Sequence, residues 1–122
     1  MDTRAPDEPL PREAVVLLEA LLREDTPAFR ALRAQIPHLR VTGRCGCPCP
    51  SIDVAVPDPD AVPPAPAGTA TPAAEATVLD AAGEPIGGAM VFVSGGYLSL
   101  LEIYFWSDEP ITTFPSPDRL QW

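Results

Sequence analysis

A short segment with three cysteines is the part of the sequence best suited to metal or thiol chemistry. Single residues separate its cysteines, which are Cys45, Cys47 and Cys49. Because residues two apart in an extended chain point to the same side, the three thiolates could converge on one ion. His38, the single histidine, could complete a tetrahedral zinc site with them. The sequence therefore allows a zinc site at these four residues as one of two interpretations of function.

The spacing of the cysteines also supports a plainer interpretation. Common structural zinc sites use Cys-x-x-Cys pairs, and dithiol redox sites place one such pair at the start of a helix. The segment has Cys-x-Cys spacing instead. We therefore expect no cofactor, with the small residues of the segment packing a tight turn and His38 beginning a strand.

Two glutamates are the other pair of side chains that could act together. Glu102 interrupts an otherwise apolar strand pattern. Hairpin turns at Gly83 and at Gly95-Gly96 predict registers that place Glu75 and Glu102 on either side of Ala89, on one face and roughly 10 Å apart. That separation is near the upper limit for the two acids of an inverting glycosidase, but no sugar-binding groove is evident. The favoured interpretation is that Glu102 is solvated or pairs with an arginine of the helical region.

Motifs of the common enzyme classes do not occur in the sequence. It has no Gly-x-Ser-x-Gly elbow, no Walker phosphate-binding loop and no dinucleotide-binding glycine fingerprint. With one histidine and no lysine, few side chains are available as a general base or a nucleophile. The sequence does not indicate an enzyme.

The first third of the chain has the pattern of two short helices. From Leu10 to Arg23 the apolar residues recur at intervals of three and four, and polar residues occupy the opposite side. Thr26 and Pro27 then suit the cap and the first position of a second helix, which continues to Pro37. The short link between the two predicts a helical hairpin.

The rest of the chain has the pattern of strands joined by turns. Residues 51–56 alternate strictly between apolar and other residues, which predicts a strand. Gly83 and Gly95-Gly96 divide the last part of the chain into three further strands. These strands are predicted near residues 75–80, 85–94 and 97–106.

Together these elements predict one α+β domain that spans residues 1–122. In it, an N-terminal helical hairpin packs on a small, mainly antiparallel sheet. Residues 1–9 are expected to form a flexible N-terminus. Residues 57–74 are expected to form a Pro-rich disordered loop inside the domain, because six prolines fall between residues 57 and 72 and such a composition favours solvated chain.

The last predicted strand is apolar on both of its faces. Leu101 and Ile103 lie on one face, and Tyr104 and Trp106 lie on the other. One helical layer covers only one face of a sheet, so the other must be covered by the Pro-rich loop, by the tail from Ile111 to Trp122 or by another protein. We expect another protein to cover it in part, on an exposed apolar patch. Glu102, Tyr104 and Trp106 are the residues predicted to contact a protein partner there.

The charge of the chain restricts the kind of partner. The net charge is −9, and residues 45–122 contain Arg119 as their one basic residue against ten acidic ones. This charge repels nucleic-acid phosphates and anionic lipid, so we expect neither nucleic acid nor a membrane as a partner. A cationic protein, or a second copy in a homodimer, is expected instead.

The apolar runs are too short to span a bilayer and the first residues lack a secretory pattern, which predicts a cytoplasmic location.

Two stretches of the sequence resemble a group of short bacterial proteins. The stretches are Arg40-Val41-Thr42-Gly43-Arg44-Cys45-Gly46-Cys47-Pro48-Cys49-Pro50-Ser51-Ile52 and Gly95-Gly96-Tyr97-Leu98-Ser99-Leu100-Leu101-Glu102-Ile103-Tyr104. Proteins of that group have a helical N-terminal half, a Cys-x-Cys segment and a closing Leu-Glu-Ile or Leu-Glu-Val strand. The group has no known activity, so the resemblance implies no functional residue.

Two interpretations of function follow from the sequence. The leading one is a non-enzymatic protein-interaction domain of the antagonist or immunity-like kind. The alternative is a small metal-binding protein that uses Cys45, Cys47 and Cys49.

Overall fold

Two helices lie on one side of an antiparallel sheet. The computed structural model describes residues 8–44, 46 and 48–122. The helices and strands are β1 (Glu8–Pro9), α1 (Arg12–Leu21), α2 (Pro27–Gln35), β2 (Arg40–Arg44), β3 (Ile52–Ala55), β4 (Ala74–Leu79), β5 (Pro85–Ser94), β6 (Tyr97–Phe105) and β7 (Leu120–Gln121). The seven strands pair antiparallel in the order β1-β2-β3-β6-β5-β4-β7. The long apolar strands β5 and β6 lie inside the sheet, and the two-residue strands form its edges.

The two helices begin and pack as their amphipathic patterns require. Thr26 caps α2 by accepting the Phe29 N–H on its Oγ1 at 3.1 Å, and Pro27 occupies the first helical position. The buried residues of α1 form one stripe, which consists of Ala14, Leu17, Leu18 and Leu21. This stripe packs on β4 and β5, whereas α2 packs on β6. Each helix therefore buries its apolar side against the sheet.

The predicted N-terminal helical hairpin on a small sheet is wrong, although the broad α+β class holds. β1 precedes both helices and pairs with β2, which follows them, so the helices connect two neighbouring strands. The sheet has seven strands because β1 and β7 extend it at both edges. The physical reason is that a short link between two amphipathic helices does not make them pack on each other, because each apolar stripe is buried separately on different strands of the sheet. Here the partner of both stripes is the sheet.

Two side chains of α2 fix the position of the helices. Gln35 is fully buried, and its Oε1 accepts the Leu98 N–H at 2.9 Å while its Nε2 donates to the Gly96 carbonyl at 2.9 Å. Arg33 donates to the carbonyls of Leu22 and Glu24. These carbonyls lie just beyond the last turn of α1, where backbone acceptors lack helical partners. α2 is thus joined by hydrogen bonds to the β5–β6 turn and to the end of α1.

The Pro-rich segment contributes to the core at two positions. Val62 and Ala65 are buried, and the Ala65 N–H donates to the Gly96 carbonyl at 2.7 Å. Ala65 thus holds part of the segment against the β5–β6 turn, whereas the composition alone predicts solvated chain. At the other end of the chain, Glu8 and Pro9 lie within the predicted flexible N-terminus and form β1.

The last three predicted strands are confirmed as β4, β5 and β6. Gly83 has a φ of 85°, and Gly95 and Gly96 have φ values of 59° and 86°, a conformation that glycine adopts without steric cost. Each hairpin contains one bulge, at Ile86 on β5 and at Ser99 on β6. The bulges shift the predicted registers by one residue.

The two faces of the sheet differ in burial. The face toward the helices is packed with buried residues, among them Ala76, Val78, Ala89, Val91, Leu101 and Ile103. We call the opposite side the outer face; on the inner strands it includes Asp53, Glu75, Thr77, Gly88, Met90, Phe92, Leu100, Glu102 and Tyr104. Gly88 is the single buried residue among these nine.

Across the described residues, no helix has the length and apolar character needed to cross a bilayer.

Candidate functional site

Two carboxylates share one row of the outer face. Glu75 pairs with Met90, and Met90 pairs with Glu102, so the three side chains point the same way across β4, β5 and β6. The sequence predicts this arrangement with Ala89 at the centre. The two bulges shift both registers by one residue, which places Met90 there and keeps the glutamates on one row. Two strand spacings, roughly 10 Å, separate the backbone positions of the two glutamates.

Tyr104 reaches across β5 to one of these carboxylates. Its register partner on β5 is Gly88, which has no side chain, so the tyrosine ring lies over the strand. The Tyr104 hydroxyl then donates to Glu75 Oε2 at 3.0 Å. A methyl group on Gly88 would lie 2.2 Å from the Tyr104 hydroxyl oxygen. Glycine at position 88 is therefore required for this cross-strand contact.

The tyrosine hydroxyl experiences the negative field of both glutamates. Partial burial raises the pKa of Tyr104 above its usual value, and the hydrogen bond to Glu75 raises it further. The charges of Glu75 and Glu102 add to the same pKa shift, because each disfavours a second negative charge nearby. The two carboxylates thus act electrostatically on one point of the outer face.

Trp106 extends the aromatic surface beyond the end of β6. Its ring centroid lies 5.9 Å from that of Tyr104, at an interplanar angle of 47°. The indole N–H donates to the Pro85 carbonyl at 3.3 Å, and the backbone N–H donates to the Ile86 carbonyl at 3.0 Å. These bonds hold the indole against the start of β5 and leave most of its surface exposed. Of the three predicted interaction residues, Tyr104 and Trp106 are in contact, and Glu102 lies on the adjacent row.

A cavity of about 320 Å³ adjoins this surface at the end of β3. Glu102 and Tyr104 line one side of it, and Arg44, Cys49 and Asp53 line the other. The cavity is open to solvent.

Ser51 closes the β3–β6 ladder beside this cavity. Its hydroxyl accepts the Ile103 N–H at 2.9 Å and donates to the Ile103 carbonyl at 3.2 Å. The Cys49 thiol in turn donates to the Ser51 hydroxyl oxygen at 3.6 Å. Ser51 is buried, and its hydroxyl satisfies two backbone groups at the point where strand pairing ends.

The residues predicted to bind zinc are only partly described. Cys45 and Cys47 lie outside the described residues, and Cys49 is a free thiol. His38 ends a short 3-10 helix just before β2, whereas Cys49 follows the other end of β2. The five residues of that strand span about 13 Å, so the structure does not bring His38 and Cys49 together. Within the described ranges, no group of three or more histidine, cysteine, aspartate or glutamate side chains is arranged to hold a metal ion.

A larger cavity, of about 620 Å³, lies between the end of the β4–β5 hairpin and residues 107–116. Asp80 is one of its carboxylates, and its Oδ1 accepts the N–H groups of Ala82 and Glu84 at 2.9 Å each. That carboxylate therefore stabilises the hairpin turn. Phe114, Asp108 and Glu109 also line this cavity, together with Arg119 as a basic residue.

The outer face combines features suited to binding. Met90 occupies the position between the two carboxylates, and the surface around it is open to water. Acid–base catalysis by a carboxylate pair requires a substrate held between the two groups in a protected site. The arrangement of Glu75, Met90 and Glu102 instead presents an apolar centre between two negative ends.

Gly88 and Ser51 are the contributors that the sequence analysis did not single out for the site. Gly88 could have been noticed because it lies in the middle of a strand pattern, where a glycine often marks the close approach of another group to the backbone. Ser51 carries no sequence signal, because its role depends on where the β3–β6 ladder ends.

Comparison of the chain with protein-family models, with curated proteins and with solved structures finds no match.

Proposed function

We propose that the protein is a non-enzymatic protein-interaction domain, of the antagonist or immunity-like kind, and that its partner docks on the outer face. The observation that carries the proposal is Trp106. Its side chain is 58% exposed, although it continues a sheet whose other face is fully packed. Tryptophan and tyrosine contribute much of the binding energy at protein interfaces, and Trp106 and Tyr104 form a contiguous pair here.

The charge of the outer face supports a cationic partner. Asp53, Glu75 and Glu102 lie on this face, and the nearby Arg44 already pairs with Glu8. Positive groups on a partner would complement these carboxylates and speed association. Two outer faces brought together in a symmetric dimer would instead juxtapose like charges. The proposal therefore commits to a different, cationic protein, rather than to a homodimer, a nucleic acid or a membrane.

A cytoplasmic location belongs to the same proposal. Cys49 is a free thiol, and an odd number of cysteines cannot all pair within one chain. Thiols persist in reducing compartments, where disulfides are rare. The partner we propose is accordingly a cytoplasmic protein.

The proposal is tested by comparing two tryptophan substitutions. Trp122 is 51% exposed and lies elsewhere, against the Arg23 guanidinium, so Trp122→Ala is a matched control for Trp106→Ala. Wild type and both variants would be immobilised and exposed to an extract of cells that naturally express the chain. Thermal unfolding of each variant would be measured beside the capture experiment.

We expect a protein of basic pI to be retained by the wild type and by Trp122→Ala, and to be lost with Trp106→Ala at unchanged melting temperature. Retention of the same protein by all three variants would contradict docking on the outer face. Outright unfolding of Trp106→Ala, with a wild type that is monomeric and retains nothing, would place Trp106 in the core and refute the proposal.

A further inference from the structure

We propose that the partner anchors on the outer face through an arginine side chain, which lies over Met90 between Glu75 and Glu102. This inference rests on the proposed function and specifies the chemistry of the same surface. It is carried by three observations: the spacing of the carboxylates, the nature of the surface between them, and the free hydrogen-bonding capacity of both ends.

The spacing of the two glutamate positions selects a wide cation. Glu75 and Glu102 are two strand spacings apart, so a compact ion cannot contact both without bending both side chains toward it. A guanidinium is planar and carries five N–H donors that point in different directions. With its long side chain lying across the strands, an arginine can donate toward one carboxylate and place its remaining donors toward the other.

The surface between the carboxylates suits a weakly hydrated, planar cation. Met90 is half-buried there, and the Tyr104 ring lies over Gly88 on the adjacent row. A guanidinium stacks on aromatic rings and loses less hydration than an ammonium when it contacts apolar surface. The Arg23 guanidinium, 4.0 Å from the centre of the Trp122 ring, illustrates this contact within the same protein.

Both carboxylates retain acceptors for the incoming cation. Glu75 accepts the Tyr104 hydroxyl through Oε2, which leaves Oε1 available and holds the side chain in place. In the described part of the chain, no hydrogen bond or ion pair engages the Glu102 carboxylate. The hydrogen bond from Tyr104 therefore orients one end of the site before the partner arrives, which reduces the entropy lost on binding.

Methionine labelling provides a direct test, because Met1 and Met90 are the two methionines of the chain. Protein with ¹³C-labelled methionine methyl groups would be titrated with an acetylated peptide of alternating glycine and arginine. The same peptide with lysine in place of arginine would be the comparison. Glu75→Gln and Glu102→Gln would be tested beside Glu84→Gln, a control at an exposed turn of the β4–β5 hairpin.

We expect the arginine peptide to shift the Met90 methyl signal and not that of Met1, with weaker binding of the lysine peptide. Each of Glu75→Gln and Glu102→Gln should lower the affinity by about three- to fivefold, as expected for one exposed ion pair, and Glu84→Gln should leave it unchanged. An unshifted Met90 signal, or equal affinities for all variants and both peptides, would overturn the inference. If Trp106→Ala still abolished partner capture in that case, the proposed function would stand and only the arginine anchor would be refuted. Equally tight binding of free guanidinium ion would also overturn it, since the site would then not require a protein side chain.

Discussion

At the scale of single residues, the outer face depends on a glycine and a tyrosine that share one register position. Gly88 leaves room for the Tyr104 ring, and the ring carries its hydroxyl across β5 to Glu75. A tyrosine over a strand glycine replaces the cross-strand contacts that glycine lacks. The same contact makes Tyr104 sensitive to the charge on Glu75.

The alkaline titration of Tyr104 tests this contact. The pKa of Tyr104 is raised in the folded protein, so between pH 10 and that raised pKa the folded state binds more protons than the unfolded chain. The stability from this contact is therefore fully present below about pH 10 and is lost as the pH rises through the folded-state pKa. Glu75→Gln removes one negative charge beside the hydroxyl, so we expect a lower Tyr104 pKa. Since the chain has no lysine, few other groups titrate in this range.

The pKa is measured by NMR of ¹³C-labelled tyrosine, with Tyr97→Phe used to assign the two signals. We expect the Tyr104 titration to move to lower pH in Glu75→Gln and to be unaffected by Glu19→Gln, a control on the opposite side of the sheet. The alkaline loss of unfolding free energy should also be shallower in Glu75→Gln. If the titration midpoint of Tyr104 is the same in Glu75→Gln as in the wild type, the hydrogen bond does not form in solution.

At the scale of elements, α2 is held on the sheet by one fully buried glutamine. Gln35→Met keeps the length of the side chain but removes its donor and its acceptor. The Leu98 N–H then loses its partner, and the Gly96 carbonyl loses one of the hydrogen bonds that it accepts. A buried group that loses its hydrogen bond costs about 1–3 kcal/mol. We expect Gln35→Met to lower the free energy of unfolding by about 2–4 kcal/mol, measured by urea denaturation.

Gln121→Met is the matched control, because Gln121 is the one other glutamine and is exposed on β7. We expect it to change the unfolding free energy by less than about 0.5 kcal/mol. Equal stabilities of the two variants would show that the Gln35 bonds contribute nothing beyond what water provides.

The elements also show which parts of the fold a sequence can predict. The strands β4, β5 and β6 were predictable because glycines at Gly83, Gly95 and Gly96 fix where the chain must turn. The bulges were not, because an extra residue in a strand depends on packing against both neighbours and leaves the alternation of apolar residues ambiguous. That each helix packs on its own strands, and that Gln35 is buried, were hidden for a similar reason: periodicity identifies the buried side of a helix but not which strands it contacts, and a glutamine beside an apolar stripe looks like a residue of the polar side.

At the scale of the whole molecule, the sequence predicted that one face of the sheet would remain without a helical layer, and Trp106 is exposed there. It could not predict how the glutamates and aromatic rings meet, since a register error of one residue changes every neighbour. It also could not decide between the interaction and metal interpretations. Their separation requires a measurement on the purified protein.

Metal analysis of protein purified without a histidine tag makes that separation. We expect substoichiometric zinc and no change in melting temperature on addition of EDTA. The Cys-x-Cys spacing differs from the Cys-x-x-Cys spacing of common zinc sites, and β2 separates His38 from Cys49. A Cys45→Ser, Cys47→Ser, Cys49→Ser variant serves as the metal-free reference. The metal-binding alternative would be favoured if the wild type contained stoichiometric zinc, if this variant contained none, and if removal of the zinc unfolded the wild type.

The arrangement of long and short strands also governs how the protein avoids aggregation. β5 and β6 are the longest strands and carry apolar runs of the kind that form amyloid when their edges are free. β5 is paired on both sides, β6 is paired with β5 and, at Leu100 and Leu101, with β3, and the outermost strands, β1 and β7, have two residues each. Such short edges offer few backbone groups to another chain, and Pro9 on β1 lacks an N–H to donate. The native protein can therefore expose an aromatic surface to a partner while its longest apolar strands lie inside the sheet and not at its edges.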